Sequence, residues 1–367
     1  MEQQQSPMEN MEGLKRVVDP KFWSGKKVFL TGHTGFKGSW LSLWLLSMGA
    51  EVKGYALEPI TNPSLFELTG LNSDMLSEIG DIRDYKKIES SITQFQPDVL
   101  IHMAAQPLVR RSYHDPLETY STNVMGTVNV LEAARHAGNL KAVVSVTSDK
   151  CYENKEWHWG YRENEPLGGH DPYSNSKACA ELVTSAYRDS FYYSDDTAFI
   201  GSARAGNVIG GGDWADDRLI PDILKAFEKE TPVVIRNPMA RRPWQHVLEP
   251  LSGYLMLAES LFTGGSEFAE AWNFGPKDED CKPVGWILER MQEYWGEGAS
   301  WELDKANNPH EAGFLKLDWS KAEARLNWQP KWRLEKALEH TINWHKQWVD
   351  GAKMVNSCLE EIKKYQK

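Results

Sequence analysis

The sequence has no apolar run long enough to cross a bilayer. Its most apolar stretch, Trp40 to Met48, is less than half the length of the roughly 20 residues a membrane-spanning helix requires. Cysteine is scarce. The 367 residues hold 4, at Cys151, Cys179, Cys281 and Cys358, with no C-x-x-C pair. This excludes a disulfide framework and a cysteine zinc site, and the four read as reduced thiols. The 10 histidines show no metal-ligand spacing, so no metal is expected. Net positive charge is also missing. At −11, the chain as a whole repels nucleic acid and anionic membranes, and any anionic ligand must be held by a local cluster of Lys, Arg or helix N-termini. There is no internal repeat and no low-complexity tract. What remains, 41% hydrophobic and 25% charged residues with 28 Gly and 18 Pro, fits a folded, soluble, cytoplasmic protein rather than a disordered, collagen-like or coiled-coil one. The polar, mixed-charge residues 1–22 read as a mobile N-terminal arm.

Apolar strands alternate with helical segments through the first half. Strands are expected at Lys27–Leu30, Glu51–Ala56, Asp98–Met103, Ala142–Thr147 and Ala198–Arg204. Helices are expected at Gly38–Met48, Tyr85–Phe95, Pro116–Ala137 and Pro172–Tyr193. Such alternation implies crossover units and an α/β, doubly wound parallel sheet covered on both faces. After Asn207 the alternation loosens, Gly210–Gly212 marks a loop, and Trp and Pro become more frequent. The expected division is a dinucleotide-binding domain over 23–205 and a smaller α+β lobe mainly over 206–367, with some later segments returning to the first domain. A cleft between them is the default ligand site. Trp319, Trp328, Trp344 and Trp348 fall at apolar positions and are read as packing rather than sugar-stacking residues.

The first strand runs into Thr31-Gly32-His33-Thr34-Gly35-Phe36-Lys37-Gly38, a G-x-x-G-x-x-G turn opening a helix. Glycine permits the tight turn, lets backbone approach a pyrophosphate, and packs the next helix close to the sheet. The helix N-terminus then offers N–H donors to phosphate. An acidic residue for the adenosine ribose is not obvious: Glu58 stands about 20 residues past the glycines and either serves or is simply exposed. No Arg stands there for a 2′-phosphate, which leans toward NAD over NADP.

Tyr173 and Lys177 lie one helical turn apart and share a face. A tyrosine base at neutral pH needs its pKa of about 10 lowered by about 3 units, roughly 4 kcal/mol, and a nearby ammonium acts in that direction.

Together these features resemble the extended short-chain dehydrogenase/reductase superfamily, from about Trp23 onward. The resemblance implies a Rossmann-type sheet that binds NAD through Gly32, Thr34, Gly35, Phe36, Lys37 and Gly38 in the turn. It adds Asp81 and Ile82 on the adenine side, Ala104, Ala105 and Gln106 along the cofactor, Asn123 as a backbone anchor, and Tyr173 and Lys177. It makes Tyr173 and Lys177 the catalytic pair and Ser148 the hydroxyl that positions substrate. Nucleotide-sugar 4,6-dehydratases of the superfamily carry an acid and a base directly after that Ser/Thr, and here Asp149-Lys150 stands in the place. Lys150 departs from the Glu of the thymidine-diphosphoglucose enzymes. With Gly32–Trp40, Trp157–Gly160 and Arg242–His246, it is similar to the branch that acts on CDP-glucose. Products of that branch usually feed dideoxysugars of bacterial surface polysaccharide such as lipopolysaccharide O-antigen.

The implied chemistry has a physical logic. Oxidising C4 to a ketone makes the C5 proton acidic and permits loss of the C6 hydroxyl, and the hydride taken from C4 is later returned to C6. Tyr173 would take the C4 hydroxyl proton and Asp149 would protonate the leaving C6 hydroxyl. Lys150 would remove the C5 proton as a neutral amine, or else stay charged and steady the enolate. For the nucleotide diphosphate, the resemblance points to Asn207, Arg218, Arg236 and Arg242, and to His310 and Glu311 on a late loop. Planar guanidinium groups suit phosphate oxygens, although Arg218 could equally sit in a surface ion pair. The resemblance also implies a homodimer or homotetramer, paired through a four-helix interface of the helices near 116–137 and 172–193.

Two other readings remain: a nucleotide-sugar 4-epimerase or a dehydratase of dTDP- or GDP-sugars, and an NAD-binding sensor or scaffold without activity. Asp149-Lys150 weighs against the epimerase, and the intact Tyr173/Lys177 pair against the scaffold.

Overall fold

A computed structural model of the protein describes residues 16–194, 196–304 and 314–367. Seven parallel strands form the central sheet: β1 (Lys27–Thr31), β2 (Glu51–Ala56), β3 (Leu76–Ile79), β4 (Val99–His102), β5 (Ala142–Val146), β6 (Phe199–Ala205) and β10 (Ala271–Phe274). Their spatial order is β3-β2-β1-β4-β5-β6-β10. Chain order reverses between β1 and β4, so a crevice opens at their carboxyl ends, the place where sheets of this kind bind ligands. β4 and β5 are buried along their whole length, as strands covered on both faces must be.

Helix Tyr85–Phe95 follows directly from its sequence. Asp84 caps it by accepting from the Lys87 amide at 3.1 Å, and Ile88, Ile92 and Phe95 form its buried stripe. Gln96, in the left-handed region at φ 53°, stops it just before Pro97. Helix Phe36–Ser47 behaves differently. Trp40, Leu41, Leu43, Trp44 and Leu45 are buried around its circumference, because the sheet covers one side and helix Met354–Gln366 covers the other, with Trp44 against Tyr365 at 5.7 Å.

The smaller lobe has its own apolar cluster, including Ile223, Phe227, Ile287, Leu288 and Leu338. Two short parallel pairs lie there: β7 (Asn207–Ile209) with β9 (Trp244–His246), and β8 (Val233–Ile235) with β11 (Trp301–Leu303). More of the chain after 206 returns to the sheet than its loosened pattern suggested. β10 extends the sheet beside β6, while helices Leu248–Gly264 and Met354–Gln366 add Leu251, Leu255, Cys358 and Ile362 to the core under it. Trp328 and Trp344 are buried in that core, with Trp319 and Trp348 packed against it.

The N-terminal arm expected to be mobile through residue 22 is docked from Arg16 onward. Arg16 and the Asp19 amide both bond Glu259, at 3.1 and 3.0 Å, and Trp23 donates to the same carboxylate at 2.8 Å. Val18 and Trp23 are buried, so apolar area reinforces the contact. Residues 1–15 lie outside the described residues. No helix among the described residues is long and apolar enough to cross a membrane. All four cysteines are free.

Candidate active site

The glycine turn is built by exclusion. Gly32 has φ +82°, and a Cβ there would lie 2.9 Å from the Ala104 amide nitrogen; one on Gly38 would lie 2.0 Å from the Gly32 carbonyl oxygen. Gly35 caps the helix with no side-chain hydrogen bond, so the first-turn amides face outward as anion donors. Thr34 closes the turn by donating to the Leu57 carbonyl at 2.8 Å. Thr31 accepts from the Met103 and Ala104 amides at 3.0 and 3.1 Å and pairs with His102 Nδ1 at 2.8 Å. The other ring nitrogen of His102 meets Thr127 at 3.1 Å, and burial pushes the imidazole down to about 3, so it is neutral.

The remaining residues expected around a dinucleotide gather at the same end of the sheet. Asp81 follows β3, its carboxylate bound by Arg83 and its carbonyl accepting from Tyr55 at 3.1 Å. Ile82 is buried against Gly126, where a Cβ would lie 2.5 Å from its side chain. Asn123 sits in a π-helical turn, Ser121–Met125. Its amide accepts from the Gln106 N–H at 2.8 Å and donates to the Gln106 carbonyl at 3.1 Å and to Ser176 at 2.9 Å. It therefore clamps the Ala104-Ala105-Gln106 backbone to the helix that carries Tyr173 and Lys177. Glu58 is exposed beyond β2.

That helix, Pro172–Phe191, starts with Asp171 accepting from the Ser174 amide at 2.9 Å and Pro172 in the first turn. Tyr173 and Lys177 are both buried. Burial pushes the Tyr173 phenol up to about 12, against the Ser148 hydroxyl, which lowers it; the Asp149 charge raises it and the Arg218 charge lowers it. Burial brings the Lys177 ammonium down to about 8, opposed by the Glu181 charge.

Ser148 leaves β5 in an extended conformation and donates to Asp149 Oδ1 at 3.0 Å. Asp149 is buried, and its second oxygen, Oδ2, has no hydrogen-bond partner. A buried carboxylate oxygen left unsatisfied is costly and marks a place where a ligand donor belongs. Lys150 is half-buried beside it. Lys37, expected only as part of the glycine turn, is held among these groups. Its ammonium is brought down to about 7 by burial first, then by repulsion from Lys177 and Arg218, with Asp149 acting oppositely.

Arg218 begins the helix Leu219–Glu228 and pairs with Asp213 at 2.9 Å, so the ion pair weighed for it exists while its charge still reaches Tyr173 and Lys37. Asn207 opens β7 and pairs with Trp244 of β9, and Arg242 precedes β9 by two residues. Arg236 follows β8 on the surface. His310 and Glu311 lie outside the described residues.

Sequence reasoning missed Glu181. It is buried, and it accepts from Thr147, from Ser202 at 2.7 Å and from Arg204 at 2.7 Å. Its spacing of one further turn beyond Lys177 was the available signal.

A parallel sheet of this order with this constellation at its switch point defines a nucleotide-binding α/β protein, and the chain belongs to the family described as GDP-mannose 4,6 dehydratase, which matches residues 29–341. It is 60% identical to the CDP-glucose 4,6-dehydratase of Salmonella typhimurium over 95% of this chain and 98% of that one. It is 25% identical to a UDP-glucose 4-epimerase of Halalkalibacterium halodurans over 88% of this chain and 97% of that one. Among solved structures, the UDP-glucuronic acid 4-epimerase of Bacillus cereus, in complex with UDP-glucuronic acid and NAD, superposes with a TM-score of 0.75. That match is 23% identical and covers 88% of this chain and 99% of the other.

Proposed function

We propose that the protein is a lyase that converts CDP-glucose to CDP-4-keto-6-deoxyglucose and water with bound NAD. The relative at 60% identity supports the substrate, and the unpartnered Oδ2 of buried Asp149 beside Lys150, Tyr173 and Lys177 carries the chemistry. The glycine cradle, the uncapped helix start and the Asn123-held backbone fit a dinucleotide. Gly32 to Gly38 would hold its pyrophosphate, Asp81 and Ile82 its adenosine end, and Ala104 to Gln106, Tyr173 and Lys177 its nicotinamide end. When bound, NAD supplies a hydride acceptor that later returns the same hydride.

Tyr173, near the Ser148 hydroxyl, takes the C4 hydroxyl proton as C4 becomes a ketone. Lys150 then withdraws the C5 proton, and Asp149 Oδ2 protonates the C6 hydroxyl, which leaves as water. A proton returned to C5 and a hydride to C6 complete the 6-deoxy product, with one water lost and no external reductant consumed. Asn207, Arg218 and Arg242 bind the diphosphate. Leu117, Met125, Leu182 and Phe191 are exposed on helices 116–134 and 172–191, and we assign these apolar side chains to pairing with a second copy, which light scattering tests.

Incubation with CDP-glucose in D₂O without added reductant tests the reaction. The product should have lost one water and gained deuterium at C5; an unchanged mass with a new C4 epimer would instead establish an epimerase.

A further inference from the structure

The residues assigned to the proposed reaction leave one buried ionic group unused. Glu181 stands one turn beyond Lys177, and neighbours at that spacing share a helix face at about 5–6 Å between Cβ atoms. Its carboxylate is almost fully buried and saturated: Thr147, Ser202 and Arg204 all donate to it, and Arg204 pairs with it at 2.7 Å. Arg204 is anchored in turn by the Tyr152 hydroxyl at 2.7 Å and the Glu163 carbonyl at 3.0 Å. One end of this network reaches Thr147, immediately before Ser148 and Asp149; the other lies under Lys177.

We propose that Glu181 is a positioning residue for the dehydration: it holds the Lys177 ammonium charged and fixes the Thr147–Lys150 turn beneath the substrate. The inference rests on the Tyr173–Lys177 proton chemistry proposed above. A buried ion pair is weak support for stability, and a hydrophobic pair of similar size would serve packing as well. A carboxylate next to a lysine that must stay charged has a more specific use.

The groups around Lys177 leave Glu181 in that role. From β4, His102 is neutral. The turn after β5 brings Cys151, whose thiol burial raises well above its usual range, and Asp149, which acts on Lys37 and Tyr173. The start of helix Phe36–Ser47 brings Lys37, a like charge. Tyr173 sits one turn before Lys177, with its phenol raised by burial. The largest influence opposing the desolvation of Lys177 is the Glu181 carboxylate, which burial pushes up but Arg204, Thr147 and Ser202 together hold below its usual range. Losing it moves the deprotonation of Lys177 toward acid.

The test uses Glu181→Gln, Glu181→Asp and the double variant Glu181→Gln/Arg204→Met, which leaves no uncompensated guanidinium if the single change fails to fold. Two readouts are taken: the alkaline limb of kcat with CDP-glucose, and the titration of Lys177 in protein labelled with ¹³Cε-lysine, assigned with Lys177→Met. The expected result is an acid shift of the limb and of the titration midpoint by about one to two pH units in Glu181→Gln. The double variant should shift the same way by about half a unit or more, because the Glu181 charge acts on Lys177 and the Arg204 charge is not among those that do, and Glu181→Asp should hold both close to wild type. A folded Glu181→Gln or double variant with the midpoint unmoved, or with kcat lowered uniformly at all pH values, overturns the proposal. If the wild type forms no product from CDP-glucose, the reaction reading fails and the lysine titration still decides the question of charge.

Discussion

Replacing Lys177 by methionine isolates the charge on which a tyrosine base depends. In the ligand-free protein the Tyr173 phenol stands at about 12, so forming phenolate at pH 7 costs on the order of 7 kcal/mol. That cost is with the Lys177 ammonium in place; one helical turn away, about 5–6 Å, it favours phenolate by about 3 kcal/mol at an effective dielectric of about 20. Losing it should lower kcat by about two orders of magnitude. Methionine keeps the volume, and the lysine charge is itself disfavoured by burial, so the melting temperature should not fall. The assay is single-turnover product formation from CDP-glucose by mass spectrometry, with NAD affinity measured separately by calorimetry. A folded variant with kcat within tenfold of wild type would refute the electrostatic role.

Asp149→Asn should keep cofactor binding and C4 oxidation but lose at least a hundredfold in water elimination, read as a ketosugar of unchanged C6; normal turnover would remove Asp149 as the acid. Gly38→Ala places a methyl 2.0 Å from a backbone oxygen, so it should abolish measurable NAD binding and lower the melting temperature by several degrees. Lys37 binds fewer protons folded, at about 7, than unfolded, at 10.5, so the stability of the ligand-free protein should rise with pH across that window. Lys37→Met should be more stable at pH 7 by up to a few kcal/mol and should flatten that rise; denaturant titrations at pH 7 and 9 check it.

The sheet and the glycine turn were legible because strands covered on both faces are nearly continuous apolar runs. Ala142–Val146 and Val99–His102 could hardly be anything else. β3 escaped notice because Leu-Ser-Glu-Ile at the sheet edge leaves Leu76 and Ile79 exposed and carries no burial pattern. β10 was hidden by distance: its place beside β6 is set by pairing across some 70 residues, which local periodicity cannot register. At the site, Tyr173 and Lys177 were readable from spacing and Asp149 from the family resemblance, and the structure brings them together. Asn123 as a backbone anchor came from the resemblance, whereas the placing of half-buried Lys37 among cations depends on how helix 36–47 aims its side chain. The docking of Arg16–Phe22 depended on a buried carboxylate more than 200 residues away, Glu259.

In the proposed reaction the electron pair leaving C4 is the one that arrives at C6. CDP-glucose deuterated at C4, converted in ordinary water, should give a 6-deoxy product whose methyl group carries one deuterium. Deuterium lost to solvent, or recovered at C4, would contradict it.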